Sequence, residues 1–101
     1  MLENLKLQIE EIIEMCNACI KANTSPNLFE INVIKREFTE IRDVLNKEKK
    51  IVVLTKEKDL WAYKVILDSA NLDFDRALFE KVYKFQRNCE KLPLKDCKVL
   101  Y

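Results

Sequence analysis

The chain has 101 residues and a net charge of +1, and its 35% charged and 49% hydrophobic residues are typical of a folded globular protein rather than a disordered one. It contains no glycine and no histidine. This excludes the glycine-rich loops that hold phosphates and the catalytic triads and dyads that require an imidazole. Residues 1–46 carry five basic and eight acidic side chains, whereas residues 47–101 carry thirteen and nine. The first part of the chain is therefore negative and the second part positive. This separation of charge favours association with an oppositely charged surface or with a second copy of the chain.

Apolar residues at steps of three and four predict a helical hairpin in the first half. The first stripe consists of Leu2, Leu5, Ile9, Ile12, Cys16 and Cys19. The second consists of Ile31, Ile34, Phe38, Ile41 and Leu45. Ser25 followed by Pro26 is a favourable start for the second helix, since a hydroxyl can cap free N–H groups and proline suits the first helical position. The short connection at Ala22–Ser25 makes the two helices antiparallel neighbours.

The segment after the hairpin combines a short β-branched run with a longer apolar one. Residues 51–54, Ile-Val-Val-Leu, are either a buried strand or the lead-in to a helix, because periodicity does not separate the two over so short a run. Residues 59–70 are apolar almost all round, which predicts a central helix with Trp61 in the core. Asn71 is then expected to close that helix in the left-handed conformation that glycine usually adopts.

A last helix is predicted between Asp73, which can cap its first turn, and Pro93, which ends it. Its apolar face comprises Phe74, Leu78, Val82, Phe85, Cys89 and Leu92. The tail 97–101 is the only plausible strand partner within the chain for residues 51–54. Together these elements predict one helical domain over residues 1–101, all-α or mainly α. It contains the N-terminal antiparallel hairpin, two further helices and, if residues 51–54 are extended, a minimal β-pair of 51–54 with 97–101.

Two pairs of carboxylates recur at the same spacing on the hairpin helices, forming an E-x-x-E…E-x-x-D pattern. They are Glu11, Glu14, Glu40 and Asp43. The pattern resembles the magnesium-binding motif of the all-α nucleotide pyrophosphohydrolases of the MazG type. The resemblance implies an alternative function, a Mg²⁺-dependent nucleotide hydrolase with Mg²⁺ held by these carboxylates, because Mg²⁺ prefers oxygen ligands. The residues also fit solvated helix faces, since Glu11 and Glu14 lie about 140–160° from the centre of the first apolar stripe.

Four cysteines match the number of ligands in a tetrahedral zinc site. Cys16 and Cys19 lie on the apolar stripe of the first helix rather than on a tight turn, and Cys89 lies on the apolar face of the last helix. This placement predicts core packing, with no metal or other cofactor. Thiols are typical of a reducing compartment, and no stretch approaches the roughly 20 apolar residues of a membrane span. We therefore expect a cytoplasmic protein with no membrane partner.

The last helix carries a basic stripe opposite its apolar face. The stripe consists of Lys81, Lys84, Arg87 and Lys91. A surface of this kind can bind a phosphate backbone, so the stripe indicates a nucleic-acid-binding adaptor as a further alternative function. The net charge of +1 is small for a nucleic-acid-binding domain, so nucleic acid is not the expected partner.

The width of the apolar stripe on the first helix predicts that the protein self-associates. Its apolar stripe is wider than one neighbouring helix covers, and the later helices are expected to be too short to cover the remainder, so part of the stripe should stay exposed in a monomer. We therefore expect a homodimer that pairs two hairpins. The residues expected at its interface are Leu5, Ile9, Ile12 and Cys16. The expected function is that of a small cytoplasmic, non-catalytic interaction or regulatory protein that acts as a helical homo-oligomer and binds an unknown protein partner.

Overall fold

Helices account for most of the computed structural model, which describes residues 2–101. The helices are α1 (Leu2–Ala22), α2 (Leu28–Glu48), α3 (Trp61–Leu67) and α4 (Arg76–Glu90). The strands are β1 (Ile51–Val53) and β2 (Cys97–Val99), with a single 3₁₀ turn over Leu94–Asp96 before β2. The prediction of a mainly α fold with an N-terminal hairpin and a minimal β-pair is confirmed. No helix within residues 2–101 combines the length and the apolar character that crossing a membrane requires.

The helices α1 and α2 pack against each other as an antiparallel hairpin. Because the chain has no glycine, other residues adopt the left-handed conformation at the ends of these two helices. They are Asn23 (φ 54°) after α1 and Lys49 (φ 58°) after α2. The Lys49 N–H donates to a carbonyl four residues back at 3.0 Å, which closes the last turn of α2. α2 begins at Leu28, two residues later than predicted. The Ser25 hydroxyl accepts the N–H of Asn27 at 2.9 Å, so it stabilises a turn before the helix instead of capping it.

The strands β1 and β2 form a two-stranded parallel sheet in which Ile51 pairs with Cys97 and Val53 with Val99. The apolar run at β1 is therefore extended, and its partner is the C-terminal tail, as predicted. The pairing continues past the strands, since the N–H of Leu100 donates to the carbonyl of Val53 at 3.0 Å. Parallel strands require a crossover connection, and α3 and α4 supply it.

The core lies between the hairpin, α4 and β1. Phe38 of α2 and Phe85 of α4 meet there edge to face, with ring centres 5.0 Å apart. α4 also packs on α1, and the four residues predicted at a dimer interface are at most 1% exposed within the single chain. These residues are Leu5, Ile9, Ile12 and Cys16. The expectation of an exposed stripe fails at these four residues, because α4, although shorter than α1, packs against α1.

The helix α3 differs most from its prediction. It has seven residues instead of spanning residues 59–70, and it lies at the surface. Its buried residues, Ala62 and Ile66, are four apart, so only one narrow face meets the core. Trp61, which was predicted in the core, is 53% exposed. A sequence that is apolar all round carries no signal for which face is buried, and the neighbouring elements decide it.

The connection from α3 to α4 also departs from the prediction. Asn71 does not adopt the left-handed conformation. The residue before α4 is Asp75 and not Asp73. The carboxylate of Asp73 lies 3.7 Å from the Arg76 guanidinium instead. Asp75 is buried and its carboxylate is bonded to the turn before α2, which sets the point where α4 begins. α4 ends three residues before Pro93.

Candidate functional site

A groove of about 310 Å³ opens between α2 and β1, where α3 begins and the C-terminal segment passes. We call it the α2–β1 groove. From α2 it is lined by Val33, Arg36, Glu37, Glu40 and Ile41. The rest of its lining is Val52, Val53, Leu54, Trp61 and Leu100. Its volume lies at the lower end of the range for ligand pockets, and its apolar walls with a few polar groups are typical of them.

The turn between β1 and α3 places Trp61 at the groove. The N–H of Leu54 donates to the carbonyl of Asp59 at 2.8 Å, which closes a tight loop after β1. Leu60 is fully buried, and its N–H donates to Gln86 Oε1 of α4 at 2.9 Å. Because the backbone is held at both points, α3 begins beside the carboxyl end of β1.

Glu37 is a half-buried carboxylate that lines the groove. Its Oε1 accepts the N–H of Trp61 at 3.0 Å and so satisfies a free N–H at the start of α3. Burial, with a smaller contribution from the Glu40 carboxylate, raises the pKa of Glu37 to about 7 against the opposing effect of the N–H groups of Ala62 and Trp61. The other oxygen, Oε2, is buried and has no hydrogen-bond partner in residues 2–101. The groove therefore holds an acceptor that the described chain leaves unsatisfied.

The groove is lined by more acidic than basic side chains. Glu37 and Glu40 contribute two carboxylates, and Arg36 contributes one guanidinium. Arg36 and Glu40 are exposed and lie one turn apart on α2, so they form the rim, whereas Glu37 is half-buried. Above pH 7, when Glu37 is ionised, the lining carries an excess of one negative charge. Trp61, whose backbone N–H bonds to Glu37, also lines the groove with an exposed side chain.

A second group of polar side chains lies where the two interhelical connections meet, and we call it the Asn27 cluster. Its members are Ser25, Asn27, Ser69 and Asp75. The Asn27 Nδ2 donates to Asp75 Oδ2 at 2.7 Å, and the Ser69 hydroxyl donates to Asn27 Oδ1 at 3.0 Å. The Ser25 hydroxyl donates to the same Asp75 oxygen. Because these groups bond to one another at a site shielded from water, the cluster has a structural role, joining the turn before α2 to the start of α4.

The four cysteines are free thiols, and three of them are buried as predicted, while Cys19 is half-buried. Burial raises the pKa of Cys16 to about 12 and also raises the pKa values of the other three thiols. Protonated thiols are poor nucleophiles and poor metal ligands. Among residues 2–101, no three or more histidine, cysteine, aspartate or glutamate side chains are grouped so as to hold a metal ion.

The four carboxylates of the magnesium motif do not converge. They are Glu11, Glu14, Glu40 and Asp43, and all four are exposed. Glu11 is bonded to Lys81 of α4 at 2.8 Å, whereas Glu40 lines the α2–β1 groove. The magnesium site that the resemblance implied is therefore not formed in the described chain, because no three of these carboxylates lie close enough together to hold a metal ion.

The basic stripe of α4 is partly neutralised by its neighbours. Its members are Lys81, Lys84, Arg87 and Lys91. Lys81 pairs with Glu11, and Arg87 lies 5.0 Å from the ring centre of Tyr83 and 3.9 Å from Glu90. Two of the four charges are thus engaged within the chain, which weakens the field that would attract a phosphate backbone.

The α2–β1 groove was not predicted from the sequence. Its one signal is Glu37, which lies three residues after Ile34 and four before Ile41 and so places a carboxylate close to the apolar stripe of α2. A charged residue at such a position is rarely buried without a partner. The participation of Trp61 has no comparable signal, because it depends on the turn that follows β1.

Comparisons with protein-family models, with curated proteins and with solved structures find no match to this chain. Neither family membership nor a known relative of the fold therefore indicates a function.

Proposed function

We propose that this chain is a small, non-catalytic interaction protein with a regulatory role, and that a partner protein binds in the α2–β1 groove. The observation that carries the proposal is the groove itself. The exposed side chains of Trp61 and Leu100 border an apolar cleft that is also lined by Glu37, whose buried Oε2 has no partner in residues 2–101. Tryptophan is enriched among the residues that dominate protein interfaces, and such residues bind in well-packed, desolvated pockets.

Two observations support binding rather than catalysis. The buried thiols are held in their protonated form, since burial raises the pKa of Cys16 to about 12. The Ser25 hydroxyl is bonded to a carboxylate of the Asn27 cluster, and the chain has no histidine that could activate it. The side chains of the groove are suited to recognition, because they offer apolar contacts and charge rather than a nucleophile beside a base.

We further propose that the protein acts as a homodimer, through a surface other than the one predicted from sequence. The end of α3 and the connection to α4 expose Leu67, Leu72 and Phe74. Leu72 and Phe74 line a common depression. Exposed apolar side chains grouped in this way are typical of association surfaces, and two-fold pairing is the commonest arrangement. The free thiols support a cytoplasmic location for this dimer.

Affinity capture from a lysate of the source cells, quantified by mass spectrometry, tests the groove. The wild type is compared with Leu100→Asp, which places a charge at the groove, and with Leu7→Asp, which places the same charge on an exposed residue of α1. We expect a partner that is retained by the wild type and by Leu7→Asp and depleted about tenfold or more by Leu100→Asp. Equal recovery with the two variants would place the binding site elsewhere.

Size exclusion with light scattering at micromolar concentration tests the dimer. We expect a mass of two chains for the wild type and for Leu7→Asp, and a mass of one chain for Phe74→Asp, because a carboxylate on the apolar surface is costly to bury. A wild-type mass of one chain that persists on concentration would reject the dimer and leave the groove proposal untouched.

A further inference from the structure

The α2–β1 groove combines apolar walls with one buried acceptor. The half-buried side chains of Val33, Val52 and Leu54 form the walls, and the open space of about 310 Å³ is sufficient for one long amino-acid side chain. The Oε2 of Glu37 is the buried polar atom without a partner in residues 2–101. A side chain that enters the groove must therefore meet an apolar surface along its length and a carboxylate oxygen in the interior.

A purely apolar side chain would meet only half of these conditions. It would leave Glu37 Oε2, which the fold already shields from water, without a donor, and an acceptor that stays buried without a bond is unfavourable. A donor at the end of an apolar stem satisfies both. The two carboxylates against the single guanidinium of Arg36 favour a donor that is positively charged, and the exposed ring of Trp61 favours the same charge through its face.

The number of free oxygens distinguishes lysine from arginine. Glu37 Oε1 already accepts the N–H of Trp61 at 3.0 Å, so only Oε2 is available to a ligand. The two parallel hydrogen bonds that make arginine pairs with a carboxylate strong need both oxygens. The ammonium of lysine is a point charge with three donors on a flexible stem, and it suits a single acceptor.

We infer that the α2–β1 groove binds a lysine side chain of the partner protein, with its aliphatic stem against Val33 and Val52 and its ammonium bonded to Glu37 Oε2. The inference rests on the proposed function, since it names the group that the partner inserts. It also predicts that the partner segment is basic, because Glu40 lies exposed at the rim.

Trp61 reports on this site directly, since it is the one tryptophan of the chain and it lines the groove. Its fluorescence is titrated at pH 8 with Nα-acetyl-lysine methylamide and with Nα-acetyl-norleucine methylamide, which has a similar stem but no ammonium. We expect a saturable change with the lysine compound at an affinity about tenfold higher than that of the norleucine compound, as one charge-assisted hydrogen bond supplies. The corresponding arginine compound should bind less tightly than lysine.

Glu37→Gln and Glu14→Gln form a matched pair of variants. The first neutralises the buried carboxylate while it keeps an oxygen for the Trp61 N–H, and the second neutralises an exposed carboxylate of α1. We expect Glu37→Gln to lower the affinity for the lysine compound about tenfold, to that of norleucine, and Glu14→Gln to leave it unchanged.

The pH dependence of binding provides a further measurement. The groups that face Glu37 are Arg36 and Glu40 from α2 and the N–H groups of Trp61 and Ala62 from α3, while β1 and the C-terminal segment line the groove with apolar residues. Because the pKa of Glu37 is about 7 and lysine stays charged, the lysine compound should bind about tenfold more weakly at pH 5.5 than at pH 8.

Three results would overturn the inference. Equal affinity for the lysine and norleucine compounds on the wild type would show a purely apolar site, and this result needs no variant that must fold. Tighter binding of arginine would exclude the lysine assignment. Unchanged binding of the lysine compound by Glu37→Gln would exclude the proposed contact. Each of these leaves the proposed function standing if Leu100→Asp still loses the partner, whereas equal partner recovery by Leu100→Asp and Leu7→Asp contradicts the proposed function itself.

Discussion

The Asn27 cluster and the α2–β1 groove both bury a carboxylate, but they satisfy it differently. In the cluster, Asp75 accepts hydrogen bonds from Asn27 and Ser25, both supplied by the turn before α2. In the groove, Glu37 uses one oxygen to accept the N–H of Trp61, and its other oxygen has no partner in the described chain. The fold supplies donors to the carboxylate of the cluster, whereas the described chain supplies none to Glu37 Oε2.

This difference is the basis for assigning Asp75 a structural role and for proposing a binding role for Glu37. A buried polar network whose members satisfy one another makes the structure specific, because removing any member leaves the others unpaired. A buried carboxylate with one unbonded oxygen can still gain a hydrogen bond from a ligand. The unfavourable burial of its charge raises the pKa of Glu37. The two sites therefore predict opposite responses to removing the carboxylate.

The largest effect is expected when the carboxylate of the Asn27 cluster is removed. Asp75→Ala removes one of the two acceptors of the buried Asn27 Nδ2, which also donates to the carbonyl of Asn71. It also removes the acceptor of the Ser25 hydroxyl. We expect the free energy of unfolding to fall by about 3 kcal/mol. Urea unfolding monitored by circular dichroism measures it. Asp73→Ala is the control, because Asp73 is exposed and its ion pair with Arg76 is solvated, and its effect should stay within about 0.5 kcal/mol. A loss as small as that of the control would contradict the structural role of the cluster.

The second-largest effect concerns Glu37. Its ionised carboxylate is expected to lower the free energy of unfolding, whereas the carboxylate of Asp75 is expected to raise it. The pKa of Glu37 is about 7 in the folded chain against an ordinary value of 4.5, so the folded state holds the proton more tightly than the unfolded state does. The stability that this group supports is therefore greatest at low pH and is lost as the pH rises through 7. Relative to Glu37→Gln, the wild type should lose about 2 kcal/mol of unfolding free energy between pH 5.5 and pH 8.

Urea unfolding of both proteins at the two pH values makes this measurement. The comparison between the proteins matters, because other carboxylates titrate over the same range in both. Parallel pH profiles for the wild type and Glu37→Gln would show that Glu37 is not buried as a charged group, and the contrast with Asp75 would then disappear.

The smallest effect on stability is expected at Trp61. Because its indole is 53% exposed, native emission should already be close to that of tryptophan in water, with only a small red shift on unfolding. Trp61→Phe should change the free energy of unfolding by less than about 0.5 kcal/mol. Strongly blue-shifted native emission would restore the core position that the sequence predicts and remove Trp61 from the groove.

Parts of the fold could be predicted because their signals are local. The steps of three and four through Ile31, Ile34 and Phe38 indicate the buried face of α2 without reference to any other element, and the same holds for α1. The partner of residues 51–54 could be named because few segments were able to pair with them, although the sequence left open whether this run is extended. Helix boundaries were less well predicted, since Ser25 and Asp75 are used by a tertiary hydrogen-bond network instead of capping the helices beside them.

The sequence by itself determined the helical hairpin, the mainly α class and the burial of Cys16, because each depends on spacing along the chain. It left open whether residues 51–54 are extended, and the tertiary structure decided this by pairing them with the tail. Only the tertiary structure decided that α4 covers the stripe at Ile9, that Trp61 lies at the surface, and that Glu37 is buried with one oxygen free. The physical reason is that these outcomes depend on which faces of different elements meet. Periodicity indicates that a face will be buried, but the element that covers it, and any gap left beside it, follow from packing in three dimensions.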